Sequence, residues 1–289
     1  MSPLIPFSAM SARVDAQSLT TTATRVADLV TDERLREALV RSFSRAGASV
    51  EAVQRCFELL PAKRWSEDLL KTFLHSWKAT HLKMLAIYGL SCRIQRLALS
   101  EDGEARDQLW IAAARNAETS YEDLGLDFDG VTHATLYDDM ARSFVPSDAW
   151  LMEENGLPPA LEFKRWVYEK MVVDDIPTGL LTNMFSEIYN HAEYSLALDA
   201  FTELVDSHYD FTGAEKERAL CYIGAHVVAE TEMSHFLVVV EALDRYNRAR
   251  GLQTDYERAE VLFTEYLERL GVVMGEMRLR MVSELQGAA

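Results

Sequence analysis

Proline is scarce in this sequence, and the places where it is missing leave room for long helices. The chain has 7 prolines in 289 residues, with none between Pro61 and Pro146 and none after Pro177. Because proline is the residue that most reliably breaks a helix, both stretches can be helical without interruption. Runs that alternate apolar and polar residues, the pattern of a half-buried strand, are also missing. The sequence therefore predicts an all-α fold.

Basic residues are also few, which excludes several classes of partner. The chain has 29 Lys and Arg against 46 Asp and Glu, a net charge of -17 and a pI near 4.8. Such a charge argues against nucleic acid or an anionic membrane surface as a partner. No apolar run approaches the length of a membrane span, and the N-terminus lacks the pattern of a signal peptide. We therefore expect a cytoplasmic protein. A homodimer is compatible with this composition.

Cysteine is the third scarce residue. The chain has only Cys56, Cys92 and Cys221, which are far apart and form no C-x-x-C pair. This odd number and wide spacing predict reduced thiols without a disulfide, redox or metal-binding role.

Apolar residues recur at intervals of three and four, which is the period of a helix with one buried face. The predicted helices span residues 69–90, 107–125, 132–144, 177–207, 214–250 and 255–285. The predicted loops cover residues 100–105, 125–130, 145–161 and 209–213. We expect one domain over residues 31–289. An N-terminal extension over residues 1–30 precedes it, and its Ser/Thr/Ala-rich start is a candidate for partial disorder.

Histidines and carboxylates occur together in segments that otherwise look like buried helix. The clearest case is His226 and Glu230, which are four residues apart and share one helix face, with Glu232 and His235 following. Burying an imidazole and a carboxylate is costly unless they pair or bind a cation. This segment is therefore the first candidate for a functional site.

Two further segments carry the same residue types. In the first, Glu122 and Asp123 precede a short loop, and His133 opens the next helix, so that the carboxylates can meet the imidazole. The second segment is a helix with Glu187 and His191 four residues apart and Glu193 beyond them. Carboxylates and imidazoles from several helices are the ligands of di-iron and di-manganese sites in helical bundles. The competing interpretation is that the histidines are hydrogen-bonded core residues and the acids are solvated.

The order of these residues resembles the heme-oxygenase-like di-iron oxidases, over about residues 65–250. That family has a carboxylate and a histidine across a short loop, then a lone glutamate, then a final H-x3-D-x2-H helix. The resemblance implies a heme-oxygenase-like helical bundle with the metal ligands Glu122, His133, Glu187, His226, Glu230 and His235. It leaves Asp123 as an alternative to Glu122 and Glu193 as an alternative to Glu187, with His191 and Glu232 as alternate or supporting residues.

The final helix departs from the family pattern in two ways. Glu230 replaces the usual aspartate, and His235 follows it by five residues instead of three. In a regular helix, five residues turn His235 away from Glu230. We therefore predict a π-bulge or local unwinding between these two residues, since π-bulges are frequent at functional sites.

The resemblance also implies a chemistry. The cofactors would be two Fe(II) per chain, with O2 as co-substrate and an external reductant. The substrate would be a small aliphatic amino acid in a natural-product pathway, which is oxidised at a C–H bond by desaturation and in some members closed to an azetidine ring. Within the family the chain looks most like the branch with a polyoxin-pathway enzyme that acts on isoleucine in this way. Arg115 and Lys164 are the candidates for a partner to the substrate carboxylate.

Two alternative functions remain open at this point. A ferritin-like di-iron N-oxygenase would use the E-x-x-H unit formed by Glu232 and His235, but the sequence offers no second such unit. A metal-free helical binding or scaffold protein would carry no stoichiometric iron.

Overall fold

The computed structural model describes residues 18–121, 123–125, 130–228 and 231–287, and in these ranges the chain is helical without strands. The all-α prediction is therefore confirmed. The helices are α1 Leu19–Ala27, α2 Glu33–Arg45, α3 Gly47–Leu59, α4 Glu67–His81, α5 Met84–Ala98, α6 Gly103–Glu118, α7 His133–Phe144, α8 Pro158–Tyr168, α9 Ile176–His208, α10 Gly213–Val228, α11 Thr231–Arg250 and α12 Tyr256–Gly287. Short 3-10 turns at Leu60–Ala62, Asp148–Leu151 and Glu153–Asn155 and a π-helical turn at Glu169–Val173 complete the described secondary structure.

Helix α9 runs through the middle of the fold. Its N-cap is Asp175, whose side chain accepts a hydrogen bond from the Thr178 backbone N–H. Residues 178–190 are buried without exception. A helix that is buried on every side must be surrounded by other elements, and α9 indeed contacts α1, α3, α5, α10, α11 and α12. Polar side chains on residues 178–190 of α9 therefore face the interior, whichever direction they take.

One predicted helix is interrupted beside the candidate site. The prediction of one helix over residues 69–90 is wrong, because α4 ends at His81 and α5 begins at Met84. Leu82 between them has an extended backbone, with ψ of 94°. The predicted helix over residues 214–250 is described as α10 and α11, and residues 229–230 lie outside the described ranges.

The packed core begins earlier than the sequence suggested. Helix α1 lies inside the predicted extension, yet Leu19, Ala23 and Val26 belong to a single apolar cluster that continues to Met281. Ser18 caps this helix by accepting a hydrogen bond from Thr21 N–H. The described part of residues 1–30 is therefore ordered against the domain. The remainder of the extension predicted to be partly disordered, residues 1–17, lies outside the described ranges.

All three cysteines are free thiols. Cys56 is buried, Cys92 is exposed and Cys221 is half-buried. Among the helices that the structure describes, none combines the length and apolar character needed to cross a bilayer.

Candidate metal centre

A small cavity of about 30 Å³ lies where α9, α10 and α11 meet the α4–α5 junction and the start of α7. Its lining residues are His81, Leu82, Lys83, Ile87, Thr119, Asp123, His133, Glu187, Asn190, Tyr194, Tyr222, His226 and His235. This set contains four histidines and two carboxylates. A cavity of about 10–15 Å³ holds one water molecule, so this cavity has room for one or two water-sized ligands.

The first pair of predicted ligands meets across the loop between α6 and α7. Thr132 caps α7 by accepting a hydrogen bond from the Thr135 backbone N–H, which fixes His133 as the first helical residue. The Nδ1 atom of His133 lies 2.8 Å from Oδ1 of Asp123, and its backbone N–H donates to the Asp123 carbonyl at 3.1 Å. The carboxylate that meets His133 among the described residues is thus Asp123, and Glu122 lies outside those residues.

His226 lies against His133 inside the cluster. The two ring centroids are 4.5 Å apart, and the His226 ring stacks on Tyr194 at 4.1 Å. Burial holds the pKa of His226 well below its ordinary value, and the neighbouring histidines and Lys83 add to this lowering. His226 is therefore a neutral imidazole at neutral pH, which is the form that binds metal ions.

Glu187 and His235 form the third group at the cavity. His235 Nδ1 lies 3.6 Å from Oε2 of Glu187, and Ser186 Oγ donates a hydrogen bond to Oε1 of Glu187 at 3.1 Å. Both side chains are buried. The structure thus brings the middle helix and the last predicted ligand together.

Glu193, the alternative to Glu187, belongs to a neighbouring buried cluster. Its carboxylate accepts hydrogen bonds from Tyr189 Oη at 2.7 Å and Trp77 Nε1 at 3.3 Å. It also lies 2.5 Å from Nε2 of His81. Burial raises the pKa of Tyr189 well above its ordinary value, and the Glu193 charge raises it further. Of these residues only His81 lines the cavity, so we expect any effect of Glu193 on the site to pass through that ring.

Several predicted residues lie elsewhere or outside the described ranges. His191 is half-buried and does not line the cavity, and Asn190 occupies the position on α9 that does. The cavity follows residues 187, 190 and 194 along the helix, and the supporting role of His191 stays a prediction. Glu230 and the side chain of Glu232 lie outside the described part of the chain.

The predicted π-bulge can be checked only in part. Thr231 to His235 form regular α-helix, so this stretch contains no bulge. Residues 229–230 lie outside the described ranges, so the predicted bulge or unwinding next to Glu230 stays a prediction. His235 lines the same cavity as His226.

The donor types around the cavity fit iron. Imidazole nitrogens and carboxylate oxygens from facing helices are the ligands of di-iron bundles. Within the described ranges no three such side chains already form a group that could hold a metal ion. Two of the predicted ligands, Glu122 and Glu230, lie outside those ranges. The metal site is therefore inferred from the residues that converge on the cavity, and it stays a prediction.

A larger pocket of about 840 Å³ adjoins the cavity on the side of α8. The two spaces share Leu82, Lys83, Asp123 and His133 in their linings. The outer walls are mostly apolar, with Leu85, Phe163 and Val167 among them, and Lys164 also lines the pocket. Arg115, the other carboxylate partner considered, instead binds Glu118 at 2.7 Å and Glu241 at 3.0 Å on the surface.

Sequence reasoning missed two lining residues that come from one short segment, His81 and Lys83. Both are buried although they carry polar groups. The available signal was a lysine and a histidine inside the apolar run ATHLKMLAIYGL. It is a weak signal, because a lysine in a helix usually extends its ammonium group to solvent.

Comparison with known proteins bears on the fold alone. No protein-family model matches the chain, and no curated protein matches it. Among solved structures, the chain is similar to a TenA homolog from Pseudomonas syringae pv. tomato, with a TM-score of 0.60 and 10% identity over 84% of this chain and 93% of that one. The chain thus has a TenA-like helical fold.

Proposed function

We propose that this protein is an O2-dependent non-heme di-iron oxidase that acts on a small aliphatic amino acid. The observation that carries the proposal is the convergence of four histidines and two carboxylates on one buried cavity. These donors come from helices that are distant in sequence, and they lie in a bundle with a TenA-like fold. An apolar pocket with room for a substrate adjoins them.

The ligands in this proposal are His133, Glu187, His226 and His235 among the described residues. Glu122 and Glu230 complete the set from the sequence. Asp123 and His81 also line the cavity and offer further donor atoms. Two bound Fe(II) ions would supply the electrons that activate O2 for attack on an aliphatic C–H bond.

The protein's own residues would orient these donors and keep the site dry. Asp123 Oδ1 lies 2.8 Å from Nδ1 of His133, where a carboxylate would help to orient the ring. Ser186 holds one oxygen of Glu187. Tyr194 and Tyr222 are joined by a 2.6 Å hydrogen bond between their hydroxyls, and both are buried beside His226. This aromatic wall would limit the access of water to the oxidising centre.

The reaction in this proposal removes hydrogen from the substrate and reduces O2 to water. Desaturation would remove two hydrogens from carbon, and two electrons from the external reductant with two protons would complete the reduction of one O2 to water. Ring closure to an azetidine would remove two more, one from carbon and one from the amine nitrogen, and would use a second O2 and two further electrons. A place in a natural-product pathway is part of the same proposal.

Anaerobic titration with Fe(II), followed by elemental analysis, tests the proposal. We expect about two Fe(II) per chain in the wild type, as in carboxylate-rich di-iron bundles, and at most about one in His226→Ala. The matched control is His208→Ala, since His208 bonds to the Pro61 carbonyl and does not line the cavity. Two outcomes would contradict the oxidase proposal. One is that His208→Ala loses its iron while His226→Ala keeps it, and the other is an iron content near zero in the wild type.

The same titration decides between this proposal and the metal-free alternative. A protein with no iron but with the outer pocket intact would be a metal-free binding protein. The ferritin-like alternative gains no support from the comparison, which is to a TenA-like fold.

A further inference from the structure

Lys83 lies at the neck between the outer pocket and the histidine-lined cavity. It lines both spaces, as do Leu82, Asp123 and His133. Its position follows from the break between α4 and α5, where Leu82 is extended and Lys83 is the last residue before the helix resumes. In an uninterrupted helix, the side chains of residues 82 and 83 would point in other directions than they do at this break.

The Lys83 side chain is buried and held in place. Its exposed fraction is 8%, Nζ donates a hydrogen bond to Tyr266 Oη at 3.2 Å, and Nζ lies 5.7 Å from the centre of the Tyr266 ring. Tyr266 itself packs on Phe163, a lining residue of the outer pocket, with ring centroids 5.1 Å apart. The ammonium group is therefore fixed by the wall of the pocket.

Lys83 lines the inner cavity together with His133 and His226. An ammonium group within electrostatic range of the cluster and in the wall of the pocket is well placed to hold an anionic group at their junction. The walls beyond it, which include Leu85, Leu161 and Val167, suit an aliphatic chain.

We propose that Lys83 is the anchor for the carboxylate of an aliphatic substrate, and that the pocket holds its hydrocarbon part. This inference rests on the proposed function and names the substrate-binding residue of that site. The carboxylate would sit at the neck, so that the carbons next to it lie beside His133. Lys164, farther along the pocket wall and exposed, would contribute little to this contact.

The size of the pocket leaves two sources of this chemistry, a free amino acid and a fatty acid. The test is calorimetric titration of the full-length, metal-free protein with L-isoleucine, L-isoleucinamide, decanoate and decanamide. Each amide keeps the carbon chain and lacks the negative charge. Because iron is absent from this experiment, its result is independent of the iron titration above, and the two proposals can fail separately.

The comparison uses whichever of isoleucine and decanoate binds the wild type more tightly. We expect Lys83→Met to bind that carboxylate at least about tenfold more weakly than the wild type does, which is the effect of losing one charge-assisted hydrogen bond. Its affinity for the matching amide should change less than about twofold. Lys83→Arg should recover part of the carboxylate affinity, which shows that charge and not folding is responsible. Lys71→Met is the control, since Lys71 pairs with Glu67 and Asp68 outside the pocket.

The choice between isoleucine and decanoate then identifies the source of the carboxylate. Three outcomes would overturn the proposal. The first is equal weakening of carboxylate and amide in Lys83→Met. The second is a carboxylate-specific loss in Lys164→Met but not in Lys83→Met. The third is that neither carboxylate binds to the wild type.

Discussion

Two helix interfaces of this protein are built in opposite ways. Between α3 and α12 the backbones approach so closely that a Cβ on Gly271 would lie 2.4 Å from Ser49 Cβ and 2.6 Å from Ser49 Cα. Between α9, α10 and α11 the chain instead leaves a cavity and lines it with polar groups. Dense packing contributes to stability, whereas buried polar groups and open space reduce it. The rules that make a core stable do not explain the second interface. A region that departs from those rules is where a functional site is expected.

Two buried carboxylates show a similar contrast. Glu260 on α12 pairs with Arg41 and Arg45 on α2, each at 2.8 Å, so that two permanent charges neutralise it. Glu187 on α9 faces His235 instead, a ring that can be neutral or charged. A carboxylate locked between guanidinium groups is structural. A carboxylate among imidazoles can exchange these partners for a metal ion, because ligand histidines must be neutral.

The largest effect that we expect from breaking the polar interface is on activity. Replacing His226 or Glu187 by alanine should lower O2-dependent turnover by more than about 100-fold, since even residues that only support a metal ligand cost 10–100-fold. The fold should persist, because each change also removes a buried polar group. Mass spectrometry of products from branched-chain amino acids, with Fe(II), O2 and a reductant, would detect the loss of two or four hydrogens.

The two variants have different meanings if they stay active. Unchanged turnover in Glu187→Ala would transfer the ligand role to Glu193. Unchanged turnover in His226→Ala would refute the site as described, because this ring lies at its centre. Circular dichroism should show the same helix content in both variants as in the wild type.

A smaller effect is expected at Glu193, which acts through His81. Glu193→Gln keeps the shape but weakens the contact that orients the His81 ring, so iron affinity and turnover should fall by about 10–100-fold. Glu193→Asp should recover part of the loss. Glu203→Gln on the exposed side of the same helix is the control. A fall in thermal stability without a change in iron affinity would mean that Glu193 is only a core residue.

Changes in the α3–α12 interface should instead lower the stability of the protein and leave its activity unaltered. Gly271→Ala should reduce the free energy of unfolding by about 1–3 kcal/mol, as overpacking does, because its Cβ meets the Ser49 backbone. Gly275→Ala is a matched control one turn later, where the nearest atom is Ala52 Cβ at 3.9 Å. That change should be neutral or stabilising by up to about 1 kcal/mol, since alanine favours helix. Urea unfolding of both variants gives the comparison, and equal stabilities would contradict it.

The sequence predicted the helices better than it predicted the faces that they turn to the site. Helical periodicity and the scarcity of proline were enough for the all-α fold, and the short loop before His133 was enough to bring a carboxylate to that ring. The break at Leu82 was not predictable, because no proline or glycine marks it and tertiary packing sets it. On α9 every residue from 178 to 190 is buried, so no polar stripe could show that Asn190 and not His191 faces the cavity.

The smallest effect should come from Cys92, an exposed thiol on α5 that touches neither interface. Cys92→Ser should change stability by less than about 0.5 kcal/mol, the usual range for surface substitutions, and leave turnover unaltered. Cys56→Ser is the informative partner. Cys56 is fully buried on α3, its Sγ lies 3.9 Å from Met281 Sδ on α12, and burial raises the pKa of its thiol. A serine there places a hydroxyl in the apolar interface, which should cost about 1–3 kcal/mol of stability. Equal unfolding midpoints for the two serine variants would show that the α3–α12 interface is less tightly packed than its glycine contacts indicate.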